Sequence, residues 1–85
     1  MTQSEHRESY AFDRPGNYCI RVIGYLDESW SDRLGGLQIR KRNPKDQGPV
    51  TSLVGQLRDQ AELAGVLNTL YEMHLTLRSV EYLDE

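Results

Sequence analysis

The stretch from Leu57 to His74 constrains the fold most. Counting from Leu63, the apolar or aromatic positions Val66, Leu67, Leu70 and Tyr71, with His74, fall at +3, +4, +7, +8 and +11. That spacing gathers them on one face of a helix. Ala61, Glu62, Gly65, Asn68, Thr69 and Glu72 fall on the other side. Asp59 is placed to cap the first turn, and Glu62 stands at the capping-box spacing from it; a cap of this kind contributes about 1 kcal/mol. Gly65 sits on the outer face, where it admits a close neighbour or simply lies in solvent. His74 is expected on the apolar face of the last turn, as a partly buried structural histidine. No other ligand stands at a helical metal-binding spacing from it.

The remaining apolar residues alternate as strands do. Pro15-Gly16-Asn17 is a turn signal, and Tyr18 to Leu26 reads as a first strand. Tyr18, Ile20, Val22 and Leu26 share one face, expected to meet the helix; Cys19, Arg21, Ile23 and Tyr25 share the other. Cys19 reads as a small hydrophobe rather than a reactive thiol. Asp27 or Ser29 is placed to cap a single helical turn in the connection that follows, and Trp30 to close one end of the core. Leu37 to about Arg42 is a second strand, and Asn43-Pro44 with Gln47-Gly48-Pro49 marks a hairpin loop. Val50 to Leu57 is a third, with a bulge signalled at Gly55. Leu75 to Leu83 is the last, and a parity change between Leu77 and Val80 signals either a bulge at Arg78-Ser79 or a strand covered on both faces.

An 85-residue chain with 38% hydrophobic residues is one domain with a modest core, a size at which association often completes the burial. Residues 1–14 read as a polar arm, on which Tyr10 and Phe12 are the residues able to dock; 15–85 form the domain. The net charge of −3 argues against a nucleic-acid binder, although Arg40, Lys41, Arg42 and Lys45 concentrate positive charge near the hairpin as a candidate anion loop. No apolar run is long enough to cross a membrane, and the first residues lack the core of a signal peptide, so a cytoplasmic protein is expected. A lone Cys19 gives no disulfide framework. Gly35-Gly36 lacks the spacing of a phosphate or dinucleotide loop.

The expected fold is therefore α+β, in the order β-β-β-α-β. The helix joins the third strand to a parallel fourth by a right-handed crossover, making a mixed four-stranded sheet with one helix on one face. The opposite face lacks an intrachain cover. Ile23, Tyr25, Val54 and Tyr82 are its candidate dimer residues, and a homodimer is expected to bury them.

Several stretches carry a resemblance: Gly24-Tyr25-Leu26-Asp27-Glu28-Ser29-Trp30-Ser31, Gly35-Gly36-Leu37, Leu53 to Leu63 with its Asp59-Gln60-Ala61 centre, and Leu75-Thr76-Leu77-Arg78-Ser79-Val80. Together, over about residues 18 to 83, the chain resembles a family of small uncharacterised bacterial proteins. The resemblance implies no activity, cofactor or catalytic residue. Family members often have His where this chain has Ala64, and Gly near the helix end where it has His74. The strand-helix-strand unit is also similar, at the level of fold alone, to small ligand-sensing α+β domains.

The functional expectation is a non-enzymatic, homodimeric interaction or scaffold module, without metal or cofactor. The alternative is a small-molecule or anion sensor, with its pocket near Trp30, Gly35, Gly36, Asp59 and Gln60 or at a dimer seam. Asp27, Glu28 and Asp32 read as caps and surface rather than catalytic carboxylates.

Overall fold

A computed structural model describes residues 13–43 and 48–83. The polar arm through Phe12, Lys45 of the anion loop and the C-terminal Asp84-Glu85 lie outside the described residues. The elements are β1 (Gly16–Ile23), a 3₁₀ helix (Glu28–Leu34), β2 (Gln38–Arg42), β3 (Val50–Leu57), α1 (Gln60–Glu72) and β4 (Thr76–Leu83).

The four strands form one sheet in the order β2-β3-β1-β4, and every neighbouring pair is antiparallel. The chain is α+β in the expected order, but the sheet is not mixed. β3 and β4 do run parallel, as the crossover through α1 demands, yet β1 lies between them and is antiparallel to both. Symmetrically, the link through the 3₁₀ helix carries the chain from β1 over β3 to β2. Two interleaved crossovers in this order are the split β-α-β arrangement of ferredoxin-like sheets, here with a 3₁₀ helix in place of the first α-helix.

Alternation along the strands gives the sheet its two faces. Tyr18, Ile20 and Val22 of β1, Leu53 and Leu57 of β3 and Ile39 of β2 are buried on the helix side, with Leu34, Leu37, Leu63, Val66 and Leu70 packed among them. Trp30 is half-buried against this core, and the Arg33 guanidinium lies 5.4 Å from its ring centroid.

β1 stops at Ile23, earlier than its apolar run, because Gly24 takes φ +116° and turns the chain. Leu26 is nevertheless buried. Its amide donates to Thr51 Oγ1 at 3.2 Å, and that hydroxyl donates to Gly24 O at 2.6 Å. Thr51 thus pins the bend after β1 to β3. Gly55 makes no bulge: β3 pairs without a slip, and an added Cβ would lie 3.1 Å from Leu37 Cδ2. The bulge in β4 is real. Arg21 pairs with Ser79 and Val22 with Leu77, leaving Arg78 as the extra residue.

Asp59 caps α1, its Oδ1 accepting from Glu62 N at 3.0 Å, while Glu62 Oε1 reaches back to Arg58 N at 2.8 Å. The helix ends sooner than its periodicity predicts. Leu75 N bonds Leu70 O and His74 N bonds Tyr71 O, the two bonds of a Schellman stop. His74 takes the left-handed position, φ 63°, and is exposed rather than half-buried. Nothing lies within 4 Å of a Cβ added at Gly65, so that glycine receives no close neighbour.

Candidate functional site

An α-helix is about 10 Å across and neighbouring strands are about 4.8 Å apart, so one helix covers roughly two strands. Here α1 and the 3₁₀ helix together bury the apolar helix-side residues of β2, β3 and β1. β4 lies beyond them, at the sheet edge.

Its helix-side row follows from register. Tyr82 pairs with Tyr18, Val80 with Ile20 and, past the bulge, Leu77 with Val22. The β1 members are buried; the β4 members are 54%, 40% and 49% exposed. The nearest flank of α1 runs Gln60, Ala64, Leu67, Tyr71, one stripe at helical spacing. Gln60 Nε2 donates to the Tyr18 hydroxyl, which ties the start of this flank to β1, the strand beside β4. Tyr71 on it is 77% exposed. The result is an exposed apolar row, Leu77, Val80 and Tyr82, along the helix side of the edge strand.

This redistributes the four candidate dimer residues. Ile23 and Val54 lie on the face away from the helix, as expected, and Ile23 is 45% exposed. Tyr25 follows the end of β1 and is exposed in the connection. Tyr82 lies on the helix side, because it shares a face with buried Tyr18. The face away from the helix is largely polar: Gln38, Arg40, Arg42, Ser52, Gln56, Asn17, Arg21, Thr76, Ser79 and Glu81 occupy most of it.

The residues expected around a pocket have separate structural tasks. Gly35 caps the 3₁₀ helix at φ 69°, and a Cβ there would stand 2.6 Å from Leu57 Cδ2. Gly36 is exposed. Asp59 caps α1 and Gln60 holds Tyr18. A shallow depression of about 270 Å³ does lie by the 3₁₀ helix, lined by Glu28, Ser31, Gln38 and Ile39. It is below the usual size of a site for a drug-sized ligand. Ser31 Oγ at its wall already donates to Leu37 O at 2.7 Å.

Among the acidic groups, Asp27 accepts from Ser29 N at 3.1 Å, and the Ser29 hydroxyl and amide hold its carboxyl below the usual range. Burial, and then the neighbouring Tyr82, raise the Tyr18 hydroxyl above its ordinary value, opposed by the Gln60 hydrogen bond. Of the anion loop, Arg40, Lys41 and Arg42 belong to β2, and alternation sends Lys41 to the helix side and the two arginines to the other. Cys19 is buried.

Among the described residues, no group of three or more His, Cys, Asp or Glu is placed to hold a metal ion, and no helix is long and apolar enough to cross a membrane. Neither the curated proteins nor the solved structures contain a match to this chain. Residues 17–81 match a family described as a domain of unknown function (DUF8691), and the matched span runs from β1 nearly to the end of β4. The chain therefore belongs to the DUF8691 family.

Proposed function

We propose that this domain is a non-enzymatic interaction module that works as a homodimer, joined through β4. The observation behind this reading is the row Leu77, Val80 and Tyr82, exposed on a strand whose outer edge is unpaired among the described residues. The two edges of the sheet differ. β2 has five residues, three of them charged (Arg40, Lys41, Arg42), which is the usual protection of a free edge. β4 has eight residues and carries Leu77, Val80, Tyr82 and Leu83.

A second copy suits this edge. Two β4 strands related by a two-fold axis run antiparallel, so the ladder continues across the seam. The two apolar rows then share one face, and each Tyr71 flank overhangs the join. Asp27, Asp59 and Glu62 serve as helix caps and Thr51 ties a bend, which suits a structural rather than a catalytic use of these four side chains.

Sedimentation velocity tests the reading. The wild type is expected to run at twice the chain mass at micromolar concentration. Val80→Glu and Leu77→Glu should each return it to one chain mass with an unchanged far-UV circular dichroism spectrum. A wild type that stays at one chain mass up to about 100 µM, the weak end of specific association, defeats the proposal.

A further inference from the structure

The sheet face turned away from α1 carries a feature distinct from the apolar row on the helix side of β4. Register sets its side chains in rows. Arg40 pairs with Ser52, Ser52 with Arg21 and Arg21 with Ser79. Four polar side chains therefore lie in line across all four strands. Arg42 stands one pleat along from Arg40 on the same face, and Glu81 is the acidic residue there. Among the described residues that register places on this face, Arg21, Arg40 and Arg42 stand against Glu81, an excess of positive charge in a chain of net charge −3.

Neighbouring strands are about 4.8 Å apart, so the Cα atoms of Arg40 and Arg21 are separated by roughly 10 Å with Ser52 midway. Both guanidinium groups are long enough to converge above that serine. Their present partners are weak. Arg40 Nη2 lies 3.3 Å from Gln38 Oε1, and Arg21 Nη1 lies 3.7 Å from Glu81 Oε1, in a pair exposed to water on both sides. Each is readily exchanged for a stronger acceptor.

We propose that Arg40, Ser52 and Arg21 form a binding row for the terminal phosphate of a small ligand, with Arg42 placed for a second phosphate. Two guanidinium forks supply four donors and the serine hydroxyl a fifth. A carboxylate has two oxygens to meet them, and an internal phosphodiester likewise has two unbridged oxygens. A terminal phosphate has three, and its charge is the larger.

Calorimetric titration with inorganic pyrophosphate at low ionic strength tests this, using the intact chain. Saturable binding is expected. Arg21→Gln and Arg40→Gln should each weaken it about tenfold, the value of one charge-assisted bond. Lys41→Gln removes the same charge one residue away, but from the helix side, and should change affinity by less than about twofold if position rather than net charge governs binding. Circular dichroism checks that each variant folds. Absence of saturation overturns the proposal. So does a Lys41→Gln loss equal to that of Arg40→Gln, which would mean attraction by charge alone. Binding of an oligothymidylate without terminal phosphates in preference to pyrophosphate would also overturn it, in favour of a nucleic-acid backbone.

Discussion

Tyr18 and Tyr82 face each other across the β1–β4 pair, ring centroids 5.3 Å apart and planes inclined by 55°. One ring is buried under α1 and the other is half in solvent. The pair marks the line where the helical cover ends. Gly16 stands beside it: a Cβ there would lie 2.6 Å from Tyr82 Cε1. Tilted aromatic pairs add about 0.5–1.5 kcal/mol beyond their area, so this contact orients the exposed ring over the edge strand.

Tyr18 should give the fold a measurable alkaline limit. Burial and the nearby Tyr82 raise its hydroxyl above the ordinary value of 10.0. The folded state then holds that proton more tightly than the unfolded chain does. The associated stability is fully present below about pH 10 and is lost as pH rises through the folded value. Urea midpoints between pH 9 and about 11 should fall more steeply for the wild type than for Tyr18→Phe, which has no proton to lose. Parallel slopes would show that Tyr18 does not control this limb.

His74→Gly should stabilise the protein by about 1 kcal/mol. His74 occupies the left-handed position of the helix stop at φ 63°, a conformation that costs a residue with a Cβ about 1–2 kcal/mol. Its side chain is exposed, so little packing is lost. Part of the gain is offset by the greater freedom of glycine in the unfolded chain. The readout is the urea midpoint at unchanged m-value; a lower midpoint would mean that the imidazole contributes more than the strain costs.

Local chemistry explains how much was legible in the sequence. The helix, the span of β3 and the cap at Asp59 follow from residues within a few positions of one another, while the structure chooses Asp27 over Ser29 as the other cap and a bulge over a doubly covered strand at Arg78. Strand order does not follow from near neighbours. Nothing local says that β1 inserts between β3 and β4, because that pairing is decided by how two crossovers pack together. The facing of Tyr82 depends on that same pairing, opposite Tyr18. His74 leaves the apolar face because its spacing continues a helix that the backbone bonds of Leu75 and His74 have already closed. Of the candidate site, the exposed aromatics and the β2 arginines could be named from sequence, but alternation and register decide which of them share a surface.

Thr51→Val should cost about 1–3 kcal/mol, although the two side chains are nearly isosteric. Thr51 is fully buried, and its hydroxyl serves both Leu26 N and Gly24 O. Valine leaves that donor and that acceptor without their partner in the core. Thr51→Ser keeps both bonds and loses only a methyl, so it should fall nearer 1 kcal/mol. Thermal or urea unfolding separates the two; equal losses would assign the effect to packing rather than to the hydroxyl.

Glu81→Gln distinguishes a surface ion pair from a competitor within a binding site. Its carboxylate lies 3.7 Å from Arg21 Nη1 with both side chains well exposed, so removing the charge should leave the urea midpoint almost unchanged. Pyrophosphate affinity should respond differently. Glu81 holds the guanidinium that the phosphate row requires and repels the incoming anion. Neutralising it removes both effects, and binding should tighten by roughly three- to tenfold at low salt, with the gain shrinking as ionic strength rises. A double variant, Glu81→Gln with Arg21→Gln, should lose most of that gain, because the competition acts through Arg21. If Glu81→Gln tightened binding equally with and without Arg21, its effect would be long-range charge alone, and Arg21 would have no place in the site.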